Sequence, residues 1–158
     1  MDDCIFQNIN DRVGPADNLF ILGDFAMGPR SYIEECVQRL PTKNLFLIKG
    51  NHDKLSNLAY TLIGFRWVKD LYEVGDTYIC EKTYQPQPKK LVLCHYPMES
   101  WNKSFHGSWH LHAHTHTSMP DNPNRLRMNV GVDTNDFAPV ETQEVAKFMF
   151  AKNPVFDC

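Results

Sequence analysis

Apolar positions in this chain fall into two kinds of run. Leu19–Leu22, Leu45–Ile48 and Leu91–Cys94 are short and continuous, the pattern of strands buried on both faces of a sheet. Four other segments carry apolar residues at helical spacing. Residues 3–12 present Ile5, Phe6 and Ile9, followed by Val13, with acids at the N-terminal end. Residues 32–40 present Ile33, Cys36, Val37 and Leu40, preceded by Ser31 and with Glu34 at capping-box spacing. Residues 54–63 present Leu55, Leu58, Ala59, Leu62 and Ile63, with Gly64 placed as a C-terminal cap. Residues 143–150 give a fourth, weaker helical pattern with Thr142 as its cap. The mixed segments 67–74, 77–84 and 126–132 predict edge or antiparallel strands. Gln85-Pro86-Gln87-Pro88 predicts a loop before the strand that follows. Strands alternating with helices point to a layered α/β fold. No repeat, low-complexity tract or linker interrupts the pattern, so residues 1–158 read as one domain.

Each buried run stops at chemically capable residues. Leu19–Leu22 leads into Gly23-Asp24, Leu45–Ile48 leads through Lys49 into Gly50-Asn51-His52-Asp53, and Leu91–Cys94 leads into His95. Ligands of open α/β sheets bind beyond the carboxyl ends of the strands, and here three separate strands deliver an Asp, an Asn/His pair and a His to such an edge. Taken singly these pieces are weak. Gly-Asp is a common turn, a lone His is often a satisfied core residue, and Asp53 is also placed to cap the helix after it.

The histidines are more specific. Five of seven lie between 106 and 116, and His110, His112, His114 and His116 alternate. On a strand all four would share a face. Imidazole suits Zn, Mn, Fe, Co and Ni, and two histidines at i and i+2 can serve one metal centre from a single extended turn. Four alternating histidines inside a chain therefore predict a metal or catalytic site rather than solvated surface.

Composition narrows the partners. The chain is 42% hydrophobic with a net charge of -3, which argues against holding nucleic acid or anionic membrane by bulk charge. Its longest apolar runs fall far short of the ~20 residues of a membrane span. Met1 is followed by Asp2 and Asp3, unlike a basic signal-peptide start. Cys4, Cys36, Cys80, Cys94 and Cys158 are odd in number, scattered and without a CxxC pair, so reduced thiols in a cytoplasmic protein are the simplest expectation, and a zinc-finger-like module is disfavoured. GxSxG, P-loop and GxGxxG patterns are absent.

In order, Gly23-Asp24, Gly50-Asn51-His52-Asp53, His95 and Ala113-His114-Thr115-His116 resemble four of the five sequence blocks of the calcineurin-like metallophosphoesterases. The stretches Leu22–Phe25, Cys94–Pro97, Leu111–His116 and Asn129–Asp133 are similar to the compact single-domain bacterial and phage members, and the resemblance runs from about residue 2 to about residue 140. It implies a sandwich of two β-sheets flanked by helices, with two divalent ions (Mn, Fe, Zn or Ni) at the strand ends. It implies Asp24 as the bridging carboxylate, Asn51, His95 and His114 as ligands of the second metal, and His116 as a ligand of the first. His52 would lie over the substrate, protonating the leaving oxygen or stabilising the transition state, and His112 would stand behind the ligands. The implied reaction is hydrolysis of a phosphodiester or phosphomonoester, small and nucleotide-like, by a metal-bridging hydroxide.

Two departures qualify this. The family's D-x-H block, on a first strand ahead of the helix at 3–12, is missing, which leaves Asp24 and His116 alone at the first metal and exposes the flank of a neighbouring strand. A start at an internal Met of a longer protein, a truncated gene product, or substitution by another acid or His would each account for it. Ala113 replaces a glycine, harmless unless that position needs positive φ. The competing function is a non-catalytic metal-binding or interaction domain with half of a dinuclear site. The oligomeric state is open.

Overall fold

The computed structural model describes residues 2–155; Met1 and Cys158 lie outside them. Among the described residues the fold is α/β, with four α-helices and two sheets. The order is α1 (Asp2–Arg12), β1 (Asn18–Ile21), α2 (Arg30–Gln38), β2 (Asn44–Ile48), α3 (Asn57–Ile63), β3 (Phe65–Lys69), β4 (Leu71–Cys80), β5 (Gln85–Cys94), β6 (Trp109–His112), β7 (Arg127–Asn129) and α4 (Thr142–Ala151). None of the helices is long and apolar enough to cross a membrane. The cysteines described, Cys4, Cys36, Cys80 and Cys94, are free thiols.

The first sheet runs β1-β2-β3, all parallel. Its side chains explain why the apolar runs are continuous. Leu45 and Leu47 point to a core shared with Phe6 of α1, Ile33, Cys36 and Val37 of α2 and Tyr60 of α3. The alternate residues Phe20 and Ile48 face the second sheet. There Phe20 stacks on Phe46 (ring centroids 4.8 Å apart) and Trp67 packs on Tyr72 (4.6 Å). The second sheet runs β4-β5-β6-β7, antiparallel between β4 and β5 and parallel thereafter. Val145, Ala146 and Met149 of α4 share its core with Leu91, Val92, Leu93 and Trp109. The layers are therefore helices, sheet, sheet, helix. β1 forms one edge of the first sheet, with Asn18 exposed and Leu19 to Ile21 half-buried.

Several expectations need correction. The segment 67–74 is not one strand: it breaks at Asp70, where the chain leaves the first sheet for the second. The segment 77–84 ends its strand at Cys80 and turns, with Tyr84 at φ 52°. Gln85–Pro88 is not a loop but the start of β5, paired with Thr77–Cys80. Two prolines fit there because β6 pairs with β5 only from Leu91 to Leu93, leaving a free side for their missing N–H groups. Ser31 caps nothing: Pro29 occupies the N-cap of α2, and Glu34 pairs with Arg30 at 2.7 Å. Glu141, not Thr142, is the N-cap of α4, its backbone N–H donating to Glu144 at 2.8 Å. Gly64 does cap α3, at φ 141°.

The alternating histidines do not share one face. Strand β6 ends at His112, so only His110 and His112 belong to it, and both are buried. The Met98 N–H donates to His110 Nε2 (3.1 Å), so His110 Nδ1 carries the proton that the Val92 carbonyl accepts (2.9 Å). Burial lowers the pKa of both rings, that of His112 from an ordinary 6.5 to about 4. A group whose folded pKa is depressed is protonated first in the unfolded chain, so its stabilising share is complete above pH 6.5 and is lost as pH falls towards 4. The urea midpoint of the metal-free protein is expected to fall through that window, and His112→Gln to flatten the slope.

Candidate metal centre

The carboxyl ends of β1, β2 and β5 and the turn after β6 meet at one point. Gly23 (φ 90°) and Asp24 (φ 55°) follow β1, Gly50-Asn51-His52-Asp53 follow β2, His95 follows β5, and His114 (φ 63°) follows β6. Left-handed backbone at a residue with a side chain costs about 1–3 kcal/mol and gathers at functional sites. Asp24, His114 and His116 (φ 48°) all adopt it, as do Tyr84, Lys103, Asp136 and Phe137 elsewhere in the chain. Ala113 does not, so alanine in place of glycine there brings no backbone strain. The glycines permit close approach: a Cβ on Gly23 would sit 2.4 Å from His95 Nδ1, and one on Gly50 2.2 Å from Asp24 Oδ1.

Four polar atoms converge. His95 Nε2 lies 3.3 Å from Asp24 Oδ2, 3.2 Å from Asn51 Oδ1 and 3.1 Å from His114 Nδ1. His95 is 1% exposed. Its other nitrogen, Nδ1, lies 2.7 Å from the Leu22 carbonyl, which can only accept, so in the neutral ring Nδ1 carries the proton and Nε2 presents a lone pair. That lone pair faces a carboxylate oxygen and further polar atoms, which is how donor groups gather around a cation. The three distances from Nε2 suit one, and the ligand atoms of Asp24, His95 and His114 all lie within 4.8 Å of one another. Ligands about 2.1 Å from a metal stand roughly 3.0–3.4 Å from each other in octahedral or tetrahedral coordination. A ligand histidine whose other N–H donates to a backbone carbonyl is also the usual way of fixing the metal-binding tautomer. The donor set of two imidazoles, a carboxylate and an amide oxygen suits a divalent transition ion.

The other oxygen of Asp24 is already used. Oδ1 accepts the His52 backbone N–H at 2.8 Å, which turns Oδ2 towards His95. The His52 side chain is exposed beside the cluster's turn. His116 stands outside the cluster: its ring is exposed and its Nδ1 is hydrogen-bonded to Asp133. Asn129 donates to the His116 carbonyl at 2.9 Å. Asp133 and Asn129 lie in the Asn129–Asp133 stretch already noted, but a hydrogen bond across 17 residues has no periodic signal to reveal it. His106 lies apart, exposed, at the end of the 3-10 turn Ser104–His106.

Compared with known proteins, the chain is 25% identical over 156 residues to an uncharacterized protein of Methanocaldococcus jannaschii, in an alignment covering 94% of this chain and 75% of that one. No family model and no solved structure matches the chain.

Asp53 is the residue whose role the sequence concealed. It does not cap α3; Ser56 does, accepting from the Ala59 N–H at 3.2 Å. Asp53 is instead 3% exposed and accepts from the backbone of Asp24 (2.8 Å), Phe25 (3.2 Å) and Gly50 (2.8 Å) and from the Tyr60 hydroxyl (3.2 Å). One buried carboxylate thus ties the turn after β1 to the turn after β2. Burial, with the Asp53 charge beside it, pushes the Tyr60 hydroxyl pKa well up, so Tyr60 stays a donor.

Proposed function

We propose that the chain is a metal-dependent phosphoesterase related to the calcineurin-like metallophosphoesterases. The observation that carries this reading is the convergence of Asp24 Oδ2, Asn51 Oδ1 and His114 Nδ1 on Nε2 of buried His95. These four residues hold a divalent ion, and His116, braced by Asp133, is the candidate ligand of a second. When bound, such ions lower the pKa of water and neutralise charge on a phosphoryl group. Asn51 contributes an oxygen without adding negative charge, which favours an anionic substrate. His52 is exposed on the turn whose backbone fixes Asp24, and serves as the proton donor to the leaving oxygen. A small phosphate ester is the substrate class.

The position of His116 outside the cluster favours a second reading, a binding domain that holds one ion without catalysis. Mn²⁺-dependent hydrolysis of an aryl phosphodiester separates the two. The enzyme reading expects turnover that His52→Ala lowers by about 10²–10⁴-fold, the range of a lost general acid. Absence of turnover in the metal-loaded protein supports the binding domain.

A further inference from the structure

A group of cations lies at the opposite end of the second sheet from the metal centre. Strand β5 begins at Gln85 but β6 joins it only at Leu91, so Pro88, Lys89 and Lys90 border a notch ahead of β6. The loop that leads into β6 closes the notch with Lys103, His106, Gly107 and Ser108. The metal centre follows the other ends of β5 and β6, roughly 15 Å away along the strands. The notch holds about 170 Å³. At about 30 Å³ per water, it has room for one tetrahedral oxyanion and little more.

Its charge is not neutralised from within. Glu73 pairs with Lys90 (2.8 Å) and accepts from Asn102 Nδ2 (2.9 Å to each oxygen), so it is already occupied. Asp76 stands opposite Lys89 in the ladder, but its Oδ1 accepts the Thr77 N–H (2.7 Å). Among the described residues, neither Lys89 nor Lys103 has a carboxylate within 4.0 Å. Lys89 Nζ lies over the rings of Trp109 (5.8 Å) and Phe150 (5.6 Å), which holds it beside Gly107. Lys103 and His106 are exposed on a loop that is itself fixed. Trp101 Nε1 donates to Ser108 Oγ (3.0 Å), Ser108 Oγ donates to the Asn102 carbonyl (2.6 Å), and the N–H groups of His106 (2.9 Å) and Ser108 (3.1 Å) donate to the Lys103 carbonyl. The loop is thus ordered before any ligand arrives, which lowers the cost of binding one.

We propose that this notch binds one phosphate group, held by the ammonium groups of Lys89 and Lys103 and by a ring N–H of His106. Lysine binds phosphate as a point charge, and an imidazole offers an N–H donor in either charge state. Two unpaired ammonium groups match a phosphate dianion, whereas a single carboxylate leaves one of them unmatched. A chain of net charge -3 has no bulk attraction for anions, so binding depends on this local grouping. The ligand is a phosphate dianion, carried by inorganic phosphate or by a small monoester. The proposal rests on the notch and is independent of the metal centre and of the phosphoesterase reading.

The test is titration of the chain, stripped of metal by a chelator, with inorganic phosphate at constant ionic strength, followed in amide NMR spectra. Saturable shifts centred on the loop Lys103–Ser108 are expected. Lys103→Ala should weaken binding by about tenfold or more, the scale of one charge-assisted hydrogen bond. Lys89→Met, which keeps an aliphatic chain against Trp109, should do the same. His114→Ala at the metal centre and Lys43→Ala, at an exposed lysine of the first sheet, should leave binding unchanged. Glycerol 3-phosphate separates the two sources: binding at least as tight as that of inorganic phosphate assigns the notch to monoesters, and weaker binding assigns it to the free ion. Absence of saturable shifts with both ligands, or binding undiminished in Lys103→Ala, overturns the proposal. An equal loss in Lys43→Ala attributes the binding to bulk charge, and a loss in His114→Ala places the anion at the metal centre; either result overturns it as well.

Discussion

Replacing His95 by alanine is expected to weaken divalent-metal binding by more than about 100-fold and, on the proposed function, to bring phosphodiester hydrolysis to background. Even residues that only orient a metal ligand contribute about 10–100-fold in affinity, and His95 is the proposed ligand on which the other three side chains converge. The substitution also removes a fully buried ring and leaves the Leu22 carbonyl without its partner, so some loss of stability comes with it. His114→Ala separates the two effects. His114 is exposed, so its loss should remove the metal response while leaving the metal-free melting temperature close to that of the native chain. The measurement is the shift of melting temperature with Mn²⁺: a clear rise in the native protein and none in either variant. An undiminished shift in His95→Ala would place the metal elsewhere.

The second large effect is at Asp53. Asp53→Ala strands the N–H groups of Asp24, Phe25 and Gly50 in a partly buried turn and takes the acceptor from Tyr60. An unsatisfied buried donor costs about 1–3 kcal/mol, so the three together should remove about 3 kcal/mol or more, a large share of the 5–15 kcal/mol of an ordinary domain. Asp53→Asn keeps the shape but exchanges one acceptor oxygen for a donor that faces an N–H, and falls between. Urea denaturation of the metal-free chains reads the stability. Because Asp53 also fixes the backbone of Asp24, both variants should bind Mn²⁺ more weakly even at temperatures where they stay folded. An Asp53→Ala protein of native stability would contradict the role assigned to this carboxylate.

What the sequence revealed follows the physics of each element. β1 and β2 were legible because both faces are covered, so every residue from Leu19 to Leu22 and from Leu45 to Ile48 is apolar. β6 was hidden because half of its four residues are histidines, which read as chemistry and are in fact buried structure at His110 and His112. The strand over Gln85–Pro88 was hidden because prolines signal a loop unless the partner that leaves them a free side is known. Among the site residues, Asp24, Asn51 and His95 could be named because each follows an apolar run and His114 because of the alternating histidines and the family resemblance, and the fold brings these four together. Asp53 stood beside them in sequence, yet its partners lie on the turn after β1, on Gly50 and on α3. Local spacing favours a helix cap, and only the fold brings those donors to the carboxylate. Asp133 carries no periodic signal at all, since its contact with His116 exists only when the turns after β6 and β7 come together.

Asp24, Asn51, His95 and His114 are proposed to form a metal site. Counting manganese per chain by elemental analysis, after saturation with Mn²⁺ and desalting, tests it most directly. At least one ion retained per native chain, and none in His95→Ala, is the predicted result. A native chain that leaves the column with no bound manganese, and that retains neither zinc nor nickel under the same treatment, would contradict it.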